Sequence, residues 1–138
     1  VCATSADKLI DIRSQLANIA RNLWSTPPDH GAAVVATILA DPELKARWAD
    51  EVEAMRLRIA QLRSGLVEAL EPHGLRERFA HIGVQRGMFS YTGLSPEQVK
   101  TLRERHSVYM VSSGRANVAG IDATRLALLA DAIADACK

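Results

Sequence analysis

Two neighbouring segments decide how the fold is interpreted: RGMFSYTGL at residues 86–94 and SVYMVSSGRANVAG at residues 107–120. Each contains a short strand-like run beside a glycine, and a short helix pattern separates them. The second segment places Arg115 directly after Gly114, between the hydrophobic run Val108–Ser112 and a short strand return at Asn117–Val118. Since glycine permits backbone conformations that other residues avoid, a bend there can aim the arginine out of the sheet.

An arginine at such a bend has two interpretations. Its planar guanidinium can donate two parallel hydrogen bonds to a carboxylate or a phosphate, which indicates an anion-binding site. It can also form a structural ion pair at the end of a strand, and many paired charges do only that. The local chemistry of Arg115 leaves both interpretations open.

The first forty residues predict two helices. A capping pattern at Thr4 precedes apolar residues at helical spacing from Leu9 to Leu23, and paired prolines at 27–28 end this helix. A second helix, from Ala32 to Ala40, is almost wholly apolar, so it must be buried in this chain or against a partner.

A long helix follows and begins at the start signal Asp41-Pro42-Glu43. Its apolar stripe runs from Leu44 to Leu70, and residues 72–74 end it. A helix of this kind gains too little from burying its own stripe to be stable alone, so we expect it to lie on a sheet. Its basic residues are interpreted as its solvated face: Arg47, Arg56, Arg58 and Arg63.

The remaining pattern completes an α/β unit. Ile82–Gln85 and Met88–Tyr91 are strand-like, and Ser95 begins a short helix with a capping box. Asp122 caps a final helix with a buried side at Leu126, Leu129, Ile133 and Cys137. The prediction is a long helix packed on a small mixed sheet with a terminal helix.

Composition excludes several classes of protein. The chain has 138 residues, 48% of them hydrophobic and 24% charged, as in ordinary globular domains. A net charge of +1 without a basic patch argues against nucleic acid, and no apolar run is long enough to predict a membrane span. The four histidines and the two cysteines, Cys2 and Cys137, lack the spacing of a metal site. Two cysteines also do not form a disulfide framework, and such cysteine usage is typical of a protein in a reducing cytoplasm.

Three segments carry a resemblance to a known family. Residues 21–31 (RNLWSTPPDHG), 86–94 and 113–120 resemble the C-terminal part of the class I pyridoxal-phosphate aminotransferases, the aspartate and aromatic (tyrosine) amino-acid aminotransferases. The sequence of residues 86–93 is more similar to that of the aromatic branch. The resemblance implies that residues 1–40 are the tail end of a large cofactor domain with a dimer-interface segment. Residues 41–138 would be the connecting helix and the C-terminal small domain of this fold.

The resemblance also implies a function for a longer protein. That protein would transfer an amino group between an amino acid, aromatic or acidic, and a 2-oxo acid, as a cytoplasmic homodimer. Its pyridoxal phosphate would be held by a lysine in a preceding part, because none of the four lysines here has the family's context. No catalytic, cofactor-binding or metal-binding residue is therefore expected in this segment, which would be inactive alone.

The beginning of the chain, Val1-Cys2-Ala3 without an initiator methionine, fits a piece of something longer. The alternative is a free-standing, non-enzymatic interaction domain, with the apolar first forty residues as its partner surface.

Four residues receive substrate-binding roles by the resemblance. Arg115 would bind the substrate α-carboxylate, and Phe89 would pack beside it. Arg21 would reach the neighbouring subunit's site and pair with the distal carboxylate of a dicarboxylate, and Ser25 lies on the same interface segment. Without the resemblance, Arg21 would be a helix-end cation favoured by the helix dipole. Tryptophan at position 24 and threonine at position 26 depart from the family's usual tyrosine and asparagine.

Overall fold

Six α-helices and two strands are present in the residues that the computed structural model describes, 5–138. In chain order they are α1 Ala6–Trp24, α2 His30–Ala40, α3 Pro42–Ala69, α4 Arg76–Val84, β1 Phe89–Tyr91, α5 Pro96–His106, β2 Arg115–Asn117 and α6 Leu126–Ala136. Single turns of 3-10 helix lie at Glu71–His73, Val118–Gly120 and Ala123–Arg125. None of the described helices is both long and apolar enough to cross a membrane.

Packing divides the chain into two units, with the division after Arg47, inside α3. The predicted boundary between residues 1–40 and 41–138 concerns a larger domain and stays a prediction. The expectations for Val1-Cys2-Ala3 and for Thr4 lie outside the described residues. The first described cap is Ser5, whose Oγ accepts a hydrogen bond from the Lys8 backbone N–H at 3.4 Å.

The predicted start signals of α3 and α5 are confirmed. Asp41 Oδ1 accepts hydrogen bonds from the backbone N–H groups of Glu43 at 2.8 Å and of Leu44 at 3.1 Å. These two N–H groups have no acceptor within the helix, so Asp41 acts as its N-cap. At α5 the capping box is complete, because Ser95 Oγ accepts from the Gln98 N–H and Gln98 Oε1 accepts from the Ser95 N–H.

The apolar faces of α1 and α2 are open within the first unit. Leu16 is 48% exposed, Ile19 53% and Val35 55%. Of the two alternatives predicted for α2, burial within this chain is therefore not provided by the described residues of the first unit, 5–47.

The core of the second unit lies between the end of α3 and the helices α4, α5 and α6. It contains large apolar side chains that are almost completely buried, which are Leu66, Leu70, Phe79, Ile82, Val99, Leu102 and Ile133. Because the core consists mostly of helix faces, α3 packs against other helices here more than against a sheet.

The predicted burial of the whole α3 stripe is wrong for its first half. Trp48 is 48% exposed and Met55 57%, whereas Leu62 is 2% exposed and Leu70 is fully buried. The difference arises because the core cluster draws on α3 only from its C-terminal half onward.

The sheet is smaller than predicted and is antiparallel, not mixed. Its two strands pair with Ser90 opposite Ala116. Ile82–Gln85 is not a strand: it forms the end of α4 and its cap, because Phe79 and Ile82 lie three residues apart and bury one helix face. Val108–Ser112 is also not a strand, since neither described strand pairs with it.

The C-terminal helix α6 is tied to α5 through Asp135. Asp135 Oδ2 lies 2.9 Å from His106 Nε2 and 2.9 Å from Arg105 Nη1. The hydrogen bond with His106, and then the nearby cations, hold the pKa of the Asp135 carboxyl below its ordinary value of 3.8. A carboxyl whose folded pKa is lowered stabilises the fold above its unfolded pKa, and this contribution is lost as pH falls through the folded value.

We therefore expect Asp135→Asn to lower the urea midpoint of unfolding near neutral pH. The difference from the wild type should shrink below about pH 3.8, where the carboxylate begins to be protonated. Asp50→Asn, at an exposed position on α3, is the matched control. A difference that stays constant down to pH values well below the ordinary pKa would contradict this role for Asp135.

Candidate functional site

One face of the two-stranded sheet is open to solvent and carries the candidate residues. Along β1 the exposed residues are Phe89 and Tyr91, and along β2 they are Arg115 and Asn117. Their neighbours Ser90 and Ala116 lie on the opposite face, with Ser90 buried. This follows from the strand period of two, which puts alternate side chains on opposite faces.

The side chain of Arg115 lies on the ring of Phe89. Arg115 is paired with Tyr91 in the register, so Phe89 is its diagonal neighbour on the same face. The Arg115 Cζ atom is 4.9 Å from the centroid of the Phe89 ring, within the range of a cation–π contact. A contact with the face of a ring occupies none of the guanidinium N–H donors, so these remain available to an anion.

No carboxylate forms an ion pair with Arg115 among residues 5–138. The structural ion pair that the sequence left open is therefore not formed within the described part of the chain. Arg115 is an exposed cation supported by an aromatic ring.

The bend before Arg115 is held by several hydrogen bonds. Gly114 has a φ of +77°, and its carbonyl accepts from both the backbone N–H and the Oγ1 of Thr92, each at 2.9 Å. Its N–H donates to Val111 O at 2.9 Å. An added Cβ at Gly114 would lie 3.0 Å from Leu94 O. The glycine is therefore required both by its conformation and by the closeness of Leu94.

An open cavity of about 780 Å³ lies beside this face. Its wall includes Phe89 and Arg115 from the sheet, together with Leu129 and Ile133 from α6. This volume falls in the range of small-molecule sites, and a mostly apolar wall with a few polar groups is typical of them. Arg115 can thus be reached from a concave surface.

A residue that sequence reasoning missed lies beneath β1. The sequence predicted Arg63 as part of a solvated face, which is wrong, because Arg63 is only 2% exposed. Its position in the pattern could have indicated this: Arg63 follows Ile59 by four residues and precedes Leu66 by three, so it stands inside the apolar stripe. Arg56 does lie on the solvated face, in an exposed pair with Glu53.

Arg21 and Ser25 lie together at the end of α1, in the first unit. Arg21 is an exposed residue of the last turn, and its carbonyl accepts from the Ser25 N–H at 2.8 Å. Ser25 has a φ of +59°, which ends the helix and turns the chain toward the paired prolines. This geometry fits a helix-end cation and leaves the guanidinium in solvent.

None of the four lysines, at positions 8, 45, 100 and 138, lines the cavity beside Arg115. Three of them lie on helices and the fourth is the last residue. Within the second unit, neither Lys100 nor Lys138 lies in the wall of this cavity. Residues 5–138 contain no group of three or more histidine, cysteine or acidic residues arranged for a metal ion.

The family model "Aminotransferase class I and II" matches residues 1–133. An aromatic-amino-acid aminotransferase of Pseudomonas aeruginosa is 72% identical over 137 residues, which is 99% of this chain and 34% of that protein. An aspartate aminotransferase of the same organism is 41% identical over 133 residues, covering 96% of this chain and 33% of that protein.

A solved structure gives the same result. The crystal structure of an aromatic-amino-acid aminotransferase from Burkholderia pseudomallei, covalently bound to pyridoxal phosphate, matches with a TM-score of 0.92 and 46% identity. The match covers 99% of this chain and 34% of that one. The chain therefore spans about a third of the length of the relatives it matches.

Proposed function

This chain belongs to the aminotransferase class I and II family, and from that membership we propose that it is the substrate-gripping part of a longer, pyridoxal-phosphate-dependent enzyme. The enzyme transfers an amino group between an aromatic or acidic amino acid and a 2-oxo acid. The observation that carries the proposal is the Arg115 guanidinium, which lies on the Phe89 ring at an open sheet face with no carboxylate partner among residues 5–138.

The chemistry of the substrates supports Arg115 as the α-carboxylate site. Every amino acid and every 2-oxo acid carries an α-carboxylate, and amino transfer leaves this group unchanged. A guanidinium can bind it with two parallel hydrogen bonds, which fixes both its position and its orientation. A single arginine can therefore hold both substrates in the geometry that the reaction needs.

The cofactor belongs to the part of the longer protein outside this segment. Pyridoxal phosphate supplies the electron sink of amino transfer when it is bound. The lysines described above do not fit as its anchor, so this chain's role in the proposal is limited to binding and orienting the substrate. We expect the segment by itself to be inactive.

Arg21 and Ser25 are proposed to act across a homodimer of the longer protein. Arg21 would pair with the distal carboxylate of a dicarboxylic substrate in the neighbouring subunit's site, and Ser25 would belong to the same interface. The exposed position of Arg21 at the end of α1 leaves its guanidinium available for this. The homodimer and its cytoplasmic location are parts of the same proposal.

A substrate panel on the full-length protein tests both the reaction and Arg21. We expect the wild type to transfer amino groups from tyrosine, phenylalanine and aspartate to 2-oxo acids. Arg21→Ala should lower kcat/KM for aspartate by about 10- to 100-fold, because one charge-assisted hydrogen-bonding partner is lost. It should change kcat/KM for phenylalanine by less than about 3-fold, since that side chain has no charge to pair.

Arg13→Ala is the matched control, an exposed arginine two turns earlier on α1. Equal losses for aspartate and phenylalanine in Arg21→Ala would count against the distal-carboxylate role. A wild-type protein without transfer activity, although it binds pyridoxal phosphate, would overturn the proposed function as a whole.

A further inference from the structure

Arg63 is a buried cation on α3 without a carboxylate partner in the part of the chain that the structure describes. Its guanidinium donates instead to uncharged oxygens. Nη1 donates to Ile82 O at 3.1 Å and to Ser90 Oγ, and Nη2 donates to Gly87 O at 2.7 Å and to Phe89 O at 2.9 Å. These hydrogen bonds offset only part of the cost of burying a charge, because no opposite charge is present among the described residues and the buried Nε has no hydrogen-bond partner there.

Three of the four oxygens are backbone carbonyls and the fourth is the Ser90 hydroxyl, and they come from three consecutive segments. Ile82 lies in α4, Gly87 in the turn that follows, and Phe89 and Ser90 in β1. Gly87 has a φ of +83°, a conformation that a glycine adopts without strain, and the residues around it belong to neither α4 nor β1. Arg63 thus fixes the path of an irregular segment from α4 to β1 against the rigid helix α3.

Phe89 joins this buried arginine to the exposed one. Its carbonyl accepts from Arg63, and its ring supports the Arg115 guanidinium at 4.9 Å. On the buried face of the sheet, the Ser90 hydroxyl accepts a hydrogen bond from Arg63. Within the sheet, Ser90 lies opposite Ala116, the residue that follows Arg115. The placement of Arg115 therefore depends on β1, and β1 is held in place by Arg63.

We propose that Arg63 is a positioning residue for substrate binding: its fork of hydrogen bonds fixes Phe89 and β1, so that Arg115 is held ready for the substrate carboxylate. This inference rests on the proposed role of Arg115. Arg63 itself contacts no substrate, and it acts through Phe89. Geometry and not charge is the essential contribution, because the four acceptors match a planar fork and cannot all be reached by a lysine ammonium.

The test uses the full-length enzyme with its cofactor and two competitive ligands. Hydrocinnamate carries an aromatic ring and a carboxylate, and hydrocinnamyl alcohol has the same ring without the charge. Arg63→Met and Arg63→Lys should each weaken inhibition by the acid about 10- to 100-fold, the loss expected when a binding group is displaced by about 1 Å. Inhibition by the alcohol should change by less than about 2-fold, since it does not depend on a carboxylate grip.

Arg56→Met is the matched control, because Arg56 lies on the same helix in an exposed pair with Glu53. It should leave both inhibition constants unchanged. If Arg63→Met does not fold, Arg63→Lys decides, since it keeps the buried charge and removes only the fork.

Three results would overturn the inference: wild-type binding of the acid in Arg63→Lys, loss of acid inhibition in Arg63→Met that Arg63→Lys restores, or equal weakening of acid and alcohol. Arg115→Ala in the same assay shows which hypothesis has failed, the positioning role of Arg63 or the carboxylate-binding role of Arg115. If Arg115→Ala binds the acid as well as the wild type does, the proposed role of Arg115 is wrong. If hydrocinnamate inhibits Arg115→Ala much more weakly but inhibits Arg63→Lys as strongly as the wild type, only the positioning role of Arg63 is wrong.

Discussion

Arg115→Ala in the full-length enzyme is expected to lower kcat/KM for every amino-acid substrate by about 10³-fold, while pyridoxal phosphate remains bound. Two charge-assisted hydrogen bonds to the carboxylate are lost together, each worth about 1.5–3 kcal/mol. The loss should extend equally to aromatic and acidic substrates, because the α-carboxylate is common to them. Steady-state kinetics measure the change, and the absorbance of the bound cofactor shows that the site is still loaded.

Two further variants test whether the loss of kcat/KM comes from the carboxylate-binding geometry of Arg115. Arg115→Lys keeps the charge and removes the fork, so it should recover only a small part of the activity. Arg103→Ala, at an exposed position on α5, should behave as the wild type. Wild-type efficiency in Arg115→Ala would refute the carboxylate role.

Gly114→Ala is expected to destabilise the protein by about 2–4 kcal/mol, since it combines backbone strain with a steric contact. The residue has a φ of +77°, and a Cβ would lie 3.0 Å from Leu94 O and 3.2 Å from Thr92 Oγ1. Relief of the contact would pull Gly114 away from Thr92, which holds the bend before Arg115. We therefore expect kcat/KM to fall as well, and urea unfolding together with kinetics measures both effects.

Gly93→Ala is the matched control for the conformational part. Gly93 has a φ of +75°, nearly the same as Gly114, but nothing lies within 4 Å of its Cβ position. Its substitution should cost about 1–2 kcal/mol from the left-handed conformation alone. Equal losses of stability for the two variants would show that the close approach to Leu94 does not matter.

Five of the six described helices were predictable because their signals are local. Helix α4 was not predicted, and Asp122, predicted as the cap of the final helix, caps the single turn Ala123–Arg125 before it. The capping box at Ser95 and the Asp-Pro start at residues 41–42 bring their own hydrogen-bonding partners within three residues. The strand around Phe89 was also found, since it follows the turn at Gly87. Local signals failed where a short apolar run suits more than one structure: Ile82–Gln85 contains β-branched residues, yet packing of Phe79 and Ile82 holds it as the end of a helix.

The sequence predicted candidate site residues, whose roles stay predictions, but not the contacts that hold them in place. The motif around Arg115 can be read from the chain, whereas the contact with Phe89 joins residues 26 positions apart and becomes visible only in the sheet register. Arg63 was missed because a charged residue on a helix is usually solvated. Its burial depends on four oxygens that lie 19 to 27 residues away.

The sequence by itself determined the family and five of the six described helices, with the caps at Asp41 and Ser95, because each depends on residues close together along the chain. The carboxylate role of Arg115 stays a prediction. Only the tertiary structure decided that β1 and β2 form an antiparallel pair, that Arg115 lies on Phe89, and that Arg63 is buried beneath β1. These depend on which distant groups meet, and the backbone oxygens around Arg63 carry no mark in the sequence that would reveal their partner.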